Sequence, residues 1–494
     1  MAKRIVSFDI IRGWAILGNL LVHFFMITSD IQGIAEGHHG SGLSDLSPIG
    51  FLFMGLIVVF GHWRGLFLLI SAAVHWYVMK RKLEAGVSRN VILRQEIFKG
   101  ILLFIWAMLF YLFIGEWTLA NQWADLESTA TFDWKRIYHV DQFTNIAIAI
   151  FITSIVFYFW SRNEKTKKPW IATVVFVILG LAFIFPAPYV LDAANNFWGV
   201  DFSGSGGMQK LGEKGWWDYP VRFIVNQFIS RESPLMPHYA YSAAGAVIGI
   251  FISQKEKINK KKFLGWGYGI AGGSILFGVI WFLGVDRALS LSTDDIINLT
   301  ANFHIHPTWY VFATLGLLLI VVMSVFAGHE FNKKLNIKRR LYVSRFSRRA
   351  GFLSLSVYSL AVIQQFMRVA MWGITRALGY ADADLLRTNL YMPTAWVVFF
   401  MALEIAVWFF ILWIWEKGRY IGSPDWLFAA VLKAPNQMKK DKKWLFKDPL
   451  DVQGKVIDVE PVMWVELEAE EPLMVTEETE PEITIDEPKP ALSD

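Results

Sequence analysis

Ten runs of mostly apolar residues recur along this 494-residue chain, near 9–27, 62–79, 97–114, 142–160, 170–187, 236–253, 264–283, 307–327, 352–376 and 393–415. Each is long enough, at about 1.5 Å of helix rise per residue, to cross a hydrocarbon core roughly 30 Å thick. Backbone groups in lipid must be satisfied internally, so such runs fold as helices. The expected fold is all-α: a polytopic integral membrane helical bundle of about ten transmembrane helices. A shorter apolar stretch, Pro48 to Phe60, reads as an interfacial or re-entrant helix.

The loops test that count, because Lys and Arg collect in cytoplasmic connections. After spans two, four, six and eight come Lys80-Arg-Lys with Arg89 and Arg94; Arg162 with Lys165, Lys167 and Lys168; Lys255, Lys257 and Lys260-Lys-Lys; and Lys333-Lys with Lys338-Arg-Arg, Arg345 and Arg348-Arg. The intervening loops are poor in both residues, and 28–48 has neither. The alternation predicts cytoplasmic N- and C-termini. Lys3 and Arg4 before an apolar run imitate a signal peptide. Asp9 and Arg12 interrupt that run, however, and no small-x-small cleavage site follows, so a retained helix is expected.

With 54% hydrophobic and 18% charged residues, the chain has too little polar character for a soluble protein of its length. It has no cysteine, which removes disulfides, thiolate metal sites and cysteine nucleophiles. The net charge of +4 is a near-cancellation of basic loops and an acidic tail. No feature points to nucleic acid; the expected partner is the lipid bilayer. Residues 1–430 form the membrane domain. Residues 431–457 are a basic, aromatic juxtamembrane segment, in which Lys439-Lys-Asp-Lys-Lys beside Trp444 suits anionic lipid. Residues 458–494 hold thirteen acidic residues and one Lys, the composition of a disordered tail.

The first span carries the chemistry. It is apolar except for Asp9, Arg12, Asn19 and His23. At about 100° per residue Arg12, Asn19 and His23 share one helix face, with Asp9 on its edge, and His23 stands about 16 Å further along the axis than Arg12. Ionisable groups at membrane depth are costly and usually face the interior of a bundle for a function. An interfacial Arg12–Asp9 pair with a packed His23 is the plainer alternative. Further candidates are His38, His39, His139, His304 and His306 in the outer connections, His62 and Arg64 at the start of span two, and the carboxylates Asp141 and Glu404. Glu404 has a possible structural partner in Arg368 of span nine. A neutral imidazole can take a proton from an alcohol or amine, or carry an acyl group itself. Arg can hold a phosphate. Outer connections 115–141 and 188–235, with Trp216-Trp217 and Gly204-Ser-Gly-Gly, suit a lid or a sugar-stacking acceptor site, although aromatics also belt every membrane interface. His304-Ile-His306 alone does not make a metal site, and none is expected. No GxGxxG, Walker, Gly-x-Ser-x-Gly or His-Glu-x-x-His pattern occurs.

The stretch from Ser7 to His23, with Arg12 and His23 separated by ten residues, resembles the opening helix of the transmembrane acyltransferase superfamily. That group includes heparan-alpha-glucosaminide N-acetyltransferases, polysaccharide O-acyltransferases and related bacterial inner-membrane proteins of undefined function. Gly61-His-Trp-Arg-Gly-Leu-Phe, Ser233-Pro-Leu-Met-Pro-His238 and Gly422-Ser-Pro-Asp-Trp426 are similar to further segments of its branches, so the likeness is scattered over about residues 4–430. The resemblance implies acyl transfer, in the first instance acetyl transfer, from cytoplasmic acyl-CoA (acetyl-CoA) to an extracytoplasmic carbohydrate or glycolipid, in the plasma (inner) membrane. It implies Arg12, with Arg64, as positive groups for the CoA side. His23 would be the general base or acyl carrier with Asp9 nearby, and His38 or His39 takes that role in the branch whose catalytic histidine lies in the first outer loop. The competing reading is a transporter or flippase of a lipid-linked or anionic solute using the same stripe. A third is a bundle acting as a sensor or partner through its acidic tail. A homodimer is left open.

Overall fold

The computed structural model describes residues 5–28, 64–113, 134–165, 167–202, 210–230, 233–254, 259–285, 307–331, 339, 342–360, 362–379, 394–418 and 420–437. His38, His39, His62, His304, His306, the stretch 48–60 and the tail 458–494 lie outside them. Among the described residues the structure is helical, without strands. The helices are α1 (Val6–Thr28), α2 (Arg64–Glu84), α3 (Arg89–Phe113), α4 (Gln142–Trp160), α5 (Pro169–Ile184), α6 (Ala187–Trp198), α7 (Asp218–Ile229), α8 (Leu235–Ile252), α9 (Lys260–Gly284), α10 (Thr308–Val325), α11 (Arg345–Phe352), α12 (Ser354–Ser359), α13 (Ile363–Ala377), α14 (Thr394–Lys417) and α15 (Pro424–Gln437).

Seven helical stretches among the described residues are long and apolar enough to cross a membrane: α3, α4, α5 running on into α6, α8, α9, α10 with the π turn Phe326–Glu330, and Val398–Lys417 of α14. α1 and α2, at 23 and 21 residues, have the length but carry polar side chains within their apolar runs. Their position explains how that is tolerated. α2 buries Leu66, Leu69, Ile70, His75, Trp76 and Met79 among its neighbours, and α1 buries Ile10, Ile11, Ala15 and Ile16. The outer helices show their apolar side chains instead, as with Ile101, Ile105 and Leu109 on one stripe of α3. A lipid-facing surface is expected to look like this.

Glycines set the closest contacts. A Cβ on Gly245 would stand 1.9 Å from the Leu69 carbonyl oxygen, and one on Gly249 2.5 Å from that of Ala73. This Gly-x-x-x-Gly face of α8 lies against the backbone of α2, the small-residue packing that membrane helices use where apolar burial gains nothing from lipid. Gly13 and Gly351 do the same for α1 and α11. Beside the first contact, Trp76 packs against Phe157, Trp160 and Phe176 at 5.1–5.5 Å.

Side-chain bonds gather the loops at two ends. At one end Arg89 Nη1 donates to Arg162 O (2.9 Å), Lys260 Nζ to Phe331 O (2.6 Å) and Ser7 N to Glu330 Oε1 (2.9 Å), and Arg349 pairs with Glu416. At the other, Gln142 Nε2 donates to Arg64 O (2.8 Å), Asn145 Nδ2 to Pro234 O (3.2 Å) and Tyr138 OH to Tyr219 O (3.1 Å). The described basic residues Arg89, Arg162, Lys260 and Arg349 thus share one end of the bundle.

One expected span differs. The stretch 352–376 is not a single helix but the end of α11, then α12, then α13, broken at Leu353 and Leu360. A helix start leaves first-turn N–H groups without intrahelical partners. Asp425 of α15 accepts both Ser356 N (2.8 Å) and Ser356 Oγ (2.7 Å), so a distant carboxylate supplies the cap that permits the break.

The glycine contact makes a test. Gly245→Leu should lower the thermal midpoint of the detergent-purified protein sharply or abolish a monodisperse peak, since overpacking costs about 1–3 kcal/mol or more where only backbone can yield. Gly272→Leu on α9, where nothing lies within 4 Å, should leave both unchanged.

Candidate functional site

α1 holds its polar stripe at the edge of the packed interior. Ile10, Ile11, Ala15 and Ile16 are fully buried, whereas Arg12, Asn19 and His23 are each half-buried. Asp9 is buried. Arg12 Nη1 donates to Gly351 O at 3.5 Å, and its charge is felt at Lys99 of α3 and at Asp425 of α15. Burial pushes the Asp425 carboxyl up to about 6, while the two bonds from Ser356 and the Arg12 charge pull it back down. The Arg12 end of the stripe is therefore a cationic side chain within electrostatic reach of the Asp425 carboxylate and of Lys99.

At its other end, His23 comes within electrostatic reach of Glu404, a fully buried carboxylate midway along α14. Gln364 of α13 fixes that carboxylate: its Nε2 donates to Glu404 Oε1 at 2.6 Å and to Leu20 O at 2.8 Å. The same amide thus ties α14 to α1 one turn before His23. An imidazole beside an oriented buried carboxylate can accept a proton and be stabilised as imidazolium. Among the described side chains Gln364 is the one seen bonded to Glu404; the side chain of Arg368, the partner the sequence offers, lies outside them.

Arg64 does not join Arg12. It opens α2, where Gln142 of α4 bonds to its carbonyl and its charge reaches Asp141. Lys82, at the far end of the same helix, contacts Glu96, which Lys99 also approaches, and Lys99 in turn feels Arg12. The eighteen residues from Arg64 to Lys82 rise about 27 Å. Chain direction is the reason: α2 returns through the bundle, so its first residue lies at the opposite end from the start of α1.

The Arg64 end holds Asp141, the N-cap of α4. Its Oδ1 accepts Phe143 N (2.8 Å) and Thr144 N (3.1 Å), and Thr144 Oγ1 accepts Asp141 N in return, a capping box. Burial pushes its carboxyl up to about 7 against the pull of those bonds, Tyr111 and Arg64. His139 stacks on Tyr111 with ring centroids 4.1 Å apart.

A second polar array is absent from the sequence reading: His75 on α2, Ser154 on α4, Glu96 on α3 and Lys82, the first three almost wholly buried. The available signal is two interruptions of apolar runs, Ser71 with His75 one turn apart and Thr153-Ser154. Sequence does not say that α2, α3 and α4 are neighbours, and that adjacency is what makes them a cluster. Among the described residues no three His, Asp or Glu side chains gather as metal ligands would.

No family model and no curated protein matches the chain. The resemblance drawn from Ser7–His23 and the scattered segments rests on those residues.

The Asp141 carboxyl gives a pH prediction. In the unfolded chain it ionises as an ordinary Asp does, at about 3.9. The folded protein keeps the proton up to about 7 and binds more protons through that window, so this group's stabilisation falls as pH rises from about 4 to about 7 and then levels. Asp141→Asn keeps an acceptor for Phe143 and Thr144. Subtracting its unfolding midpoints from those of the wild type should give a curve that declines over that window; a flat difference would remove the burial argument.

Proposed function

We propose that the chain is a membrane-embedded acyltransferase, moving an acyl group, in the simplest case acetyl, from cytoplasmic acyl-CoA to a carbohydrate or glycolipid beyond the inner membrane. The observation that carries this reading is the α1 stripe. It is half-buried at Arg12, Asn19 and His23, starts at a cationic group and ends at an imidazole within electrostatic reach of a buried carboxylate. Arg12, with Lys99 beside it, would meet the phosphates of CoA, where guanidinium geometry suits bidentate binding. His23 would take the proton of the acceptor hydroxyl or amine, and Glu404, held by Gln364, would stabilise the imidazolium. Asp9, buried one turn before Arg12, would orient the inner end. His38 and His39 compete with His23 for the base role.

The positive-inside pattern supports placing the Arg12 end in the cytoplasm, since the basic loops lie at that end. Enclosure of the thioester among the helices would also keep water from it.

Titration calorimetry of acetyl-CoA against the detergent-purified protein tests the donor side at matched salt. Saturable binding lost in Arg12→Ala is expected. No heat from folded, monodisperse protein would overturn the reading and direct attention to solute flux. With binding in hand, His23→Ala should lower kcat by about 10²–10⁴-fold with KM little changed, the loss expected for a general base. Full activity in His23→Ala, with loss in His38 or His39 variants, would move the base to the outer loop.

A further inference from the structure

α7 is built inside out for a helix in water. Asp218, Arg222, Asn226 and Ile229 fall within about 80° of one another around its axis and are all buried. Pro220, Val221 and Ile224 occupy the far side and are exposed, and the half-buried Phe228 continues their stripe one turn on. A helix on a water-covered surface keeps its polar side out and its apolar side in. On α7 no polar side chain stands on the exposed arc.

The polar face is closed on itself. Trp198 Nε1 donates to Asp218 Oδ1 (2.7 Å), as does Arg222 Nε (3.0 Å), and Gly212 N donates to Asp218 Oδ2 (2.8 Å). The Arg222 guanidinium also lies 5.6 Å from the Trp198 ring and 6.0 Å from that of Phe202. Both charged side chains are at most 1% exposed, and paired, hydrogen-bonded ions are the kind tolerated away from water. These bonds tie α6 and the turn before α7 to one side of α7 and leave the apolar stripe facing away.

Depth identifies what the stripe faces. Phe223 packs edge-on against Phe104 of α3 at 6.0 Å and against Tyr138 of the 3₁₀ turn Trp134–Tyr138 at 5.6 Å. Tyr138 OH in turn donates to Tyr219 O at the start of α7. Phe104 stands nine residues, about 13 Å of helix, before α3 ends at Phe113, in a run without a charged residue from Gly100 to Gly115. If α3 crosses a membrane, Phe104 lies at hydrocarbon depth, and so does the side of α7 that touches it. Phe104 also flanks Ile101 and Ile105, so α7 meets α3 at the edge of the stripe that α3 turns to lipid. The other exposed aromatics of this region, Trp134, Tyr189 and Trp216, are of the types that gather at headgroup level.

We propose that α7 is an interfacial helix lying in the leaflet opposite the basic residues, with Pro220, Val221, Ile224 and Phe228 against lipid acyl chains. The partner is bilayer hydrocarbon, met at the depth of about 5–10 Å that in-plane helices reach. α7 is then part of the lipid-facing surface of the protein, not a water-borne lid over it. The inference stands on this geometry and does not rest on the acyl-transfer reading.

The chain has no cysteine, so single cysteines can carry a nitroxide label in the full-length protein. In phosphatidylcholine liposomes, power saturation compares collisions with oxygen, which concentrates in hydrocarbon, and with a water-soluble nickel chelate. Leu109→Cys on the α3 stripe and Glu164→Cys in the exposed turn after α4 set the lipid and water references. Labels at Val221→Cys and Ile224→Cys should resemble Leu109→Cys, with nickel collisions several-fold below those at Glu164→Cys. Nickel collisions equal to those at Glu164→Cys would place α7 in water and overturn the proposal. Shielding from both reagents overturns it too, because protein then covers the face. Ile224→Asp gives a second readout without a label: the thermal midpoint in lipid nanodiscs should fall by several degrees, and an unchanged midpoint counts against a lipid-facing stripe.

Discussion

A hydrocarbon core supplies no water to a polar side chain, and this constraint arranges the molecule. α1 and α2 carry side chains that lipid would reject, so they must be enclosed, and the apolar helices α3, α5 and α9 turn their bulky residues outward around them. Enclosure demands close approach. Gly245 and Gly249 let α8 lie on the α2 backbone, and Gly13 with Gly351 does so for α1 and α11. Once backbones meet at that distance, rotating α2 to face lipid would break the contact. The polar residues of α2 are therefore held inward by residues that carry no chemistry.

Two imidazole–carboxylate arrangements result, and they differ in a way that separates their roles. His23 is half-buried and within electrostatic reach of Glu404. His75 is enclosed between Glu96 and Ser154 and is almost wholly buried. The carboxylates differ too. Glu404 is held by a neutral amide, whereas Glu96 is bridged to lysines that reach the surface. A neutral amide brings no charge to its carboxylate, whereas the lysine partners bring positive charge to theirs and connect it to the aqueous phase.

Apolar periodicity and charge carry much of this architecture in plain view along the chain. Apolar runs place helices within a few residues, as in 142–160, and the basic loops that alternate along the chain do meet at one end through Arg89–Arg162 and Lys260–Phe331. The period of 3.6 is enough to put Arg12, Asn19 and His23 on one face. Features that depend on tertiary partners are hidden. The run 352–376 looks continuous because nothing inside it marks a helix end, and the cap that breaks it, Asp425, comes from about seventy residues away (|i−j| = 69). Charge type alone groups Arg64 with Arg12, although helix direction sets them at opposite ends. A lone histidine in an apolar run, such as His75, says nothing until α3 and α4 bring Glu96 and Ser154 to it.

The two sites are not electrically independent. Lys99 of α3 approaches Glu96 at 3.8 Å and also feels the charge of Arg12. An anion arriving at Arg12 would draw on the same Lys99 that helps hold Glu96, since interactions between charges in a low-dielectric interior fall off slowly. Under the proposed reading, phosphates held at the Arg12 end would therefore be felt at the buried Glu96 and His75 as well, through the one lysine that the two clusters share.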